Sequence, residues 1–200
     1  MVCAFKLLKW CFMDIQRLLT SLEPRIVSAD TFPAFPQTTY KLAAVLIPLV
    51  RRKDGLTILL TKRNENLKNH PGQVCFPGGK VDGTDASPAA TAVRECFEEL
   101  GFGADKISVH GMMQPIKVPT GYIILPVIGE VEPDYQLNLH YDEVELAFEV
   151  PFTHFLEIEN YIARKIHYQG RNHRFIEIKH DSHYIWGATA KILRKLSKFA

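Results

Sequence analysis

The first part of the chain changes from helical periodicity to a proline-rich stretch. Apolar residues recur every three or four positions from Phe5 to Leu22, at Phe5, Leu8, Phe12, Ile15, Leu19 and Leu22, which predicts an amphipathic helix. The next stretch, Glu23 to Thr39, contains Pro24, Pro33 and Pro36 and is predicted to be a linker. We therefore divide the chain into an N-terminal helix and linker, residues 1–39, and one main domain, residues 40–200.

Apolar runs separated by turn residues predict several strands in the main domain. Ala43 to Val50 and Leu56 to Thr61 are the first two, and Asp54-Gly55 between them is a strong hairpin signal. The segment from Asn64 to Gly83 is dominated by loop-forming residues and is predicted to be a loop. Further strand-like runs are Ile107 to Met113, Gly121 to Val131, Glu143 to Val150, Tyr161 to Tyr168 and Arg174 to Ile178.

Helical patterns lie between and after these strands. Ser87 can cap a helix that begins at Pro88 and stops at Gly101. A short helix is predicted from Phe152 to Leu156, and a longer, packed helix from Ile185 to Phe199. Strands mixed with a few helices predict an α/β fold in which helices cover both sides of a mixed sheet.

Composition and charge agree with one soluble globular domain. Hydrophobic residues make up 46% of the 200 residues and charged residues 23%. The formal net charge of +2 is too small to indicate nucleic-acid binding as the main purpose. A local basic patch for an anionic small molecule remains compatible with it.

The cysteines and the N-terminal residues indicate the cellular location of the protein. Cys3, Cys11, Cys75 and Cys96 form no CxxC pair, which argues against a zinc site and against a secreted disulfide framework. Lysines interrupt the apolar N-terminal stretch, and no apolar run is long enough to span a membrane. We predict a cytoplasmic protein without a transmembrane segment. A membrane-surface or targeting role for the N-terminal helix remains open.

The candidate chemistry is concentrated in one cluster of carboxylates. Glu95, Glu98 and Glu99 lie at helical spacing i, i+3 and i+4, so they share a face. Their repulsion is relieved if they hold a cation such as Mg²⁺ or Mn²⁺, which prefer oxygen ligands. Arg94 precedes Glu98 by four residues and could hold its carboxylate, whereas Cys96 points elsewhere and is predicted to be packed. For such a segment alone, a solvated acidic helix face is by far the commonest explanation.

A glycine pair lies upstream of this cluster. Phe76-Pro77-Gly78-Gly79 ends a strand-like segment, and its glycines allow a close backbone approach. Joined to Arg94-Glu95-x-x-Glu98-Glu99-x-Gly101, it resembles the Nudix box, a loop-helix-loop that binds a divalent metal and a diphosphate. One feature departs from that box. Asp85 occupies its acidic position, and Arg94 arrives one residue late, which puts the role of Asp85 in question.

Two further segments are similar to the coenzyme A-hydrolysing branch of that family. Leu60-Thr61-Lys62-Arg63-Asn64-x-x-Leu67-x-x-His70-x-Gly72-Gln73-Val74-x-Phe76-Pro77-Gly78-Gly79 resembles the motif that precedes the box in coenzyme A pyrophosphatases. Ile185-Trp186-Gly187-x-Thr189-Ala190-x-Ile192-Leu193 resembles the end of those enzymes. The resemblance covers Tyr40 to Leu193 in the expected order.

The resemblance implies a fold and a reaction. We expect an α/β/α sandwich and a metal-dependent hydrolysis of coenzyme A to 3′,5′-ADP and 4′-phosphopantetheine. Mg²⁺ or Mn²⁺ would be held by Glu95, Glu98 and Glu99, with Glu98 as a third ligand or as the base that takes the proton of water. Some relatives use a carboxylate from a distant loop instead, for which Glu143 and Glu145 are candidates.

Residues outside the cluster are weighed for contact with substrate. Arg63 and Gly79 are the predicted substrate-binding residues, and Lys80 is a further candidate for phosphate. His70 could contact the ligand or hydrogen-bond within its own loop. Trp186 is predicted to lie in the core rather than to stack on a base.

Three other functions remain open. The substrate could be another nucleoside diphosphate derivative, such as NADH or ADP-ribose. The domain could bind such a ligand without cleaving it, although the intact glutamates argue against this. The protein could also use residues 1–22 as a membrane-surface anchor, with hydrolysis secondary. The oligomeric state and the preference between free and acylated coenzyme A stay open.

Overall fold

The structure is a computed structural model that describes residues 15–35, 39–168 and 171–200. The side chains of residues 166–168 and 171–173 are not described. The predicted helical positions Phe5, Leu8 and Phe12 and the cysteines Cys3 and Cys11 therefore lie outside the described residues.

A mixed sheet forms the centre of the molecule. Its strands follow the order β3-β2-β1-β7-β5, with β4 paired to β1, β6 to β7 and β8 to β2. β1 and β7 run parallel, and the other pairs are antiparallel. The strands are β1 (Lys41–Arg52), β2 (Gly55–Arg63), β3 (Val74–Cys75), β4 (Gly78–Lys80), β5 (Ile107–Met112), β6 (Ile116–Val118), β7 (Tyr122–Val131) and β8 (Val144–Pro151).

A smaller antiparallel sheet lies beside the first. It has the order β11-β10-β9, with β9 (Tyr161–Tyr168), β10 (Arg171–His180) and β11 (His183–Trp186). β11 lies next to β3, so the smaller sheet borders the edge of the main one. Short 3-10 helices join these elements, and one of them, Phe152–Phe155, is the short helix predicted from Phe152 to Leu156.

Helices cover both faces of the main sheet. α1 (Ile15–Leu22) and α3 (Gly187–Leu196) share one apolar core with the face of β1 that carries Ile47 and Leu49. α2 (Pro88–Leu100) shares a second core with the opposite face of β1. Because side chains alternate along a strand, β1 contributes to both cores. The predicted α/β class and the sandwich are confirmed.

The N-terminal helix α1 packs into the domain. Ile15, Leu18, Leu19 and Leu22 are buried in the first core. After the helix, the chain makes an isolated bridge between Val27 and Met112 of β5. The apolar face of α1 is therefore covered by protein. The boundary at residue 40 stays a prediction, as does any membrane role of the first fourteen residues.

The predicted hairpin between β1 and β2 is confirmed, with Arg52 opposite Gly55. Two other predictions were incomplete. The segment from Asn64 to Gly83, predicted to be loop, contains β3 and β4, which are too short to show a period. The last helix begins at Gly187, two residues later than predicted, because Ile185 pairs with Ile178 in the smaller sheet. None of the described helices is long and apolar enough to cross a membrane.

Candidate active site

The helix α2 carries the predicted carboxylates, and its ends are fixed by local sequence. The Ser87 hydroxyl accepts a hydrogen bond from the N–H of Ala90 at 3.1 Å, and Pro88 occupies the first turn. At the other end Gly101 adopts the left-handed conformation, with φ of 83°, and donates its N–H to the carbonyl of Phe97. The predicted cap, first residue and stop are confirmed. Cys96 is fully buried, as predicted.

The glycine pair lies directly against the carboxylates of this helix. Gly78 and Gly79 form β4, which pairs with Ala44 and Val45 of β1. A Cβ added to Gly79 would lie 2.3 Å from Oε2 of Glu95, so only glycine leaves room for that carboxylate. A Cβ on Gly78 would instead meet the Ala44 carbonyl oxygen at 2.5 Å. The glycines thus bring the backbone of β4 against the helix.

Glu99 is the most deeply buried acid of the site, with 2% of the residue exposed. Burial raises the pKa of Glu99 to about 8, and the negative charges of Glu95 and Glu143 add to this. The positive charge of Arg63 and a hydrogen bond from the Gly78 backbone act in the opposite direction. The Oε2 atom of Glu99 is buried and has no hydrogen-bond partner. A buried, incompletely paired carboxylate requires a cation or a proton.

Glu95 and Glu98 differ in their surroundings. Glu95 is largely buried, and burial raises its pKa against the lowering effect of Arg94. Glu98 has a side chain that is 55% exposed, and its Oε2 lies 3.0 Å from Nη1 of Arg94. Glu95 and Glu99 therefore share the buried side of the helix, whereas Glu98 lies at its edge. The three residues follow the predicted spacing but are not equally enclosed.

Asp85 and Arg94 form the ion pair that holds this arrangement. Nε and Nη2 of Arg94 donate to the two carboxylate oxygens of Asp85 at 2.9 and 3.0 Å. The hydrogen bonds from Arg94 lower the pKa of Asp85 to about 2. Arg94 also contacts Glu95 and Glu98 and donates to the Lys80 carbonyl. Asp85 therefore anchors the arginine that organises the helix, despite the longer spacing.

The comparisons with known proteins agree with this arrangement. The family model described as NUDIX domain matches residues 40–167, a span that includes β4, α2 and their ion pairs. The chain belongs to the Nudix family. Nudix hydrolases act on nucleoside diphosphate derivatives and generally use divalent metals such as Mg²⁺ or Mn²⁺.

The chain is similar over most of its length to two other Nudix proteins. One from Enterobacter sp. (strain 638) is 41% identical over 155 residues, which are 78% of this chain and 80% of that protein. One from Escherichia coli (strain K12) is 42% identical over 159 residues, 79% and 82% respectively. Both are named uncharacterized Nudix hydrolase NudL. A MutT/nudix family protein from Enterococcus faecalis has a similar structure, with a TM-score of 0.49 and 18% identity over 92% of this chain and 68% of its own.

Two carboxylates of α2 are suited to bind a divalent metal. Among the described residues, no three His, Cys, Asp or Glu side chains form a ready-made metal cluster. Mg²⁺ usually retains several waters and needs only one or two protein carboxylates together with substrate phosphates. Glu95 and Glu99 meet that need, because both are enclosed and one Glu99 oxygen is unpaired. Glu98 is held by Arg94 at the rim.

Arg63 and Glu143 lie close to the same carboxylates. Arg63 ends β2, its charge acts on Glu99, and its Nε is buried without a hydrogen-bond partner. The charge of Glu143 raises the pKa of both Glu95 and Glu99, and its side chain is 47% exposed. The other candidate, Glu145, is paired with Lys62 at 2.9 Å. Glu145 lies in the strand β8, so Glu143 is the only one of the two candidates in a loop, and its charge acts on Glu95 and Glu99.

The other residues weighed for contact with substrate, Lys80, His70 and Trp186, all lie at the surface. Lys80 is exposed, and His70 is an exposed loop residue with φ of 56°. Trp186 is 40% exposed, so its predicted core position was wrong. It lies in the strand β11 rather than on the inner face of a helix. No feature of the sequence distinguished an edge strand from the start of a helix there.

Proposed function

We propose that this Nudix hydrolase cleaves the diphosphate of coenzyme A to 3′,5′-ADP and 4′-phosphopantetheine, with Mg²⁺ or Mn²⁺ as cofactor. The observation that carries the proposal is the position of Arg63. The segment resembling the coenzyme A motif runs from Leu60 to Gly79, and it brings Arg63 beside the buried Glu99. The motif therefore borders the carboxylate helix directly. The cytoplasm is the proposed location.

Arg63 is suited to bind a phosphate of the substrate. Its Nε is buried with no hydrogen-bond partner, and a phosphate oxygen would supply the missing acceptor. Gly79 would leave the backbone of β4 open beside Glu95, because a side chain there would occupy the position of that carboxylate. Arg63 and Gly79 are thus proposed to bind the substrate beside the carboxylates of α2.

Glu95 and Glu99 are the proposed principal ligands of the metal, with Glu98 as a third ligand or as the base that takes the proton of water. When bound, a divalent metal neutralises phosphate charge and lowers the pKa of the attacking water. In the reaction, the oxygen of water forms a bond to phosphorus and the bridging P–O bond breaks. The site keeps two carboxylates enclosed, and Arg63 would stabilise the negative charge on the phosphate that leaves.

A carboxylate must take the proton of the attacking water. Glu98 is the proposed base, because Arg94 fixes its carboxylate at the exposed edge of the helix. Glu143 is the alternative, since it lies near Glu95 and Glu99 and is partly exposed. Replacing each by glutamine separates the two. The true base is the one whose loss removes the acidic limb of the pH–rate profile, and an unchanged limb in Glu98→Gln assigns the role to Glu143.

Purified protein incubated with coenzyme A and Mg²⁺ or Mn²⁺ tests the substrate. We expect 3′,5′-ADP and 4′-phosphopantetheine in equal amounts, resolved by chromatography, with NADH and ADP-ribose cleaved less efficiently. Arg63→Gln should raise KM for coenzyme A, whereas Arg17→Gln, an exposed arginine on α1, should not. Cleavage of NADH or ADP-ribose with coenzyme A left intact would refute the substrate but keep the reaction. No cleavage of any of them would favour a binding module.

A further inference from the structure

The smaller sheet has an outer face on which exposed apolar side chains lie among charged ones. The apolar members are Ile162, Phe175, Tyr184 and Trp186, of which Tyr184 is 50% and Trp186 40% exposed. Glu177 lies opposite Ile162 and Trp186 in the sheet, and its carboxylate is paired with Arg164 at 3.0 Å. Phe175 packs edge-on to Trp186, with ring centroids 6.0 Å apart. Exposed aromatic residues gathered on one surface are typical of a binding site rather than of an ordinary monomer surface.

This outer face lies on the same side of the molecule as the carboxylate helix. Val74 of β3 and Ile185 of β11 are both buried in the core beneath α1 and α3. Side chains alternate along a strand, so the next residues, Cys75 and Trp186, lie on the opposite side. For Cys75 that side is the active site, because Cys75 pairs with Thr61 of β2, and Arg63 follows Thr61 by two residues on the same face of that strand.

A short series of contacts connects Trp186 with Arg63. A Cβ added to Gly187 would lie 3.6 Å from Nε2 of Gln73, so β11 ends beside the loop that precedes β3. The carbonyl of Gln73 in turn accepts the backbone N–H of Arg63 at 3.0 Å. The end of β11, where Trp186 lies, is therefore separated from the backbone of Arg63 by a single residue, Gln73.

We infer that Trp186, flanked by Phe175, is a stacking platform for the nucleobase of the diphosphate substrate. A Nudix substrate carries a flat base joined to the diphosphate through a ribose, and aromatic rings bind bases through their faces without requiring matched hydrogen bonds. Lys179 lies above the Tyr184 ring at 6.0 Å and adds positive charge near the face. The inference rests on the proposed site but not on coenzyme A as the substrate.

Fluorescence tests the inference without requiring turnover. The chain has two tryptophans, so Trp10→Phe leaves Trp186 as the only one. In that variant we expect saturable quenching by 3′,5′-ADP and by AMP, and none by 4′-phosphopantetheine, which has no base. Quenching by 4′-phosphopantetheine alone would overturn the inference and assign the face to the other half of coenzyme A. Absence of quenching by any of them would also overturn it, whether or not the protein hydrolyses a diphosphate.

Kinetics of full-length variants provide the second readout. Trp186→Leu should raise KM roughly tenfold with kcat little changed, the effect expected when base stacking is lost from both ground and transition states. Trp186→Phe should retain most of the affinity, because it keeps an aromatic face. Phe97→Leu, a matched change at an exposed aromatic on the outer side of α2, should behave like the wild type. Equal KM values for Trp186→Leu and the wild type would contradict the inference.

The two experiments together distinguish the inference from the proposed function. If adenine nucleotides quench Trp186 but nothing is hydrolysed, the proposed function fails and the platform stands.

Discussion

At the scale of single residues, the site depends on one arginine that is shared among several acids. Arg94 contacts Asp85, Glu95 and Glu98 and also the backbone of β4. Asp85 is the most enclosed of its partners, with a side chain only 5% exposed. It therefore restrains the guanidinium, while Glu98 receives the hydrogen bond at the surface. The ion pair of Asp85 and Arg94 therefore holds the loop before α2 against the helix.

The Asp85–Arg94 pair predicts a dependence of stability on pH. The pKa of Asp85 is lowered from 3.8 to about 2 by Arg94, so the folded protein favours the charged carboxylate. That stability is present above pH about 4 and is lost as the pH falls towards about 2. Asp85→Asn should therefore lower the free energy of unfolding by roughly 2 kcal/mol at neutral pH and by progressively less in acid.

Urea denaturation of both proteins at several pH values measures this difference. Asp30→Asn is the control, because Asp30 is exposed and hydrogen-bonds only to its neighbour Ser28 among the bonds described. A gap between wild type and Asp85→Asn that stays constant down to pH about 2 would rule out the ion pair as its origin.

Individual residues differ in how far their positions could be predicted from the sequence. Glu95, Glu98, Glu99 and Gly101 could be assigned to one helix because their spacing and caps are local properties. Trp186 could not, since an exposed tryptophan in an edge strand and a buried one at the start of a helix have the same neighbours in sequence. Its position depends on pairing with Glu177 of β10, which is a tertiary contact.

At the scale of elements, the short strand β4 controls the geometry of the helix. Its bounds were missed because Gly78–Lys80 is too short for any hydrophobic period, and its pairing with β1 is decided by distant residues. By contrast, α2 was predicted closely because Ser87, Pro88 and Gly101 mark both ends. Strong local signals fixed the helix, whereas long-range pairing placed the strand against it.

Gly79→Ala should impair activity much more than stability. The three heavy atoms nearest to the added Cβ all belong to the carboxylate of Glu95, which is the movable end of a flexible side chain. The chain can relax by displacing that carboxylate, so folding is preserved while a proposed metal ligand is lost. We expect kcat/KM to fall on the order of a hundredfold, the loss typical of disturbing a group that positions the reacting centre.

Gly83→Ala is the matched control, because its Cβ would meet no heavy atom within 4 Å. Steady-state kinetics and thermal denaturation of both variants separate activity from stability. If Gly79→Ala retains wild-type activity and Mn²⁺ affinity, Glu95 is not held in the proposed way. A large loss of thermal stability in Gly79→Ala would instead assign the glycine to folding.

At the scale of the whole molecule, the two faces of the main sheet pack against different helices and differ in function. The face beneath α2 carries the carboxylate helix, Thr61 and Cys75. The opposite face is closed by α1 and α3, whose apolar residues are buried there. α1 therefore belongs to the support of the sheet in the described structure, and its apolar face is not free to lie on a membrane.

Leu18→Ala tests this structural role of α1. Leu18 is fully buried in the first core, so its truncation leaves a cavity and should cost about 3 kcal/mol of the free energy of unfolding. Arg17→Ala, at the adjacent exposed position, should change stability by less than roughly 0.5 kcal/mol. Denaturant unfolding monitors both. Equal stability of the two variants would mean that α1 is detached in solution, and flotation with liposomes would then test an anchoring role.

The central claim is that diphosphate hydrolysis depends on the buried glutamate of α2. The most direct test compares initial rates of coenzyme A cleavage at saturating Mn²⁺ for the wild type, Glu99→Gln and Glu159→Gln. Glu159 is an exposed acid in the turn before β9 and serves as the control. We predict metal-dependent release of 3′,5′-ADP by the wild type and by Glu159→Gln, and a loss of at least about a hundredfold in Glu99→Gln. Full activity in a folded Glu99→Gln protein would contradict the account.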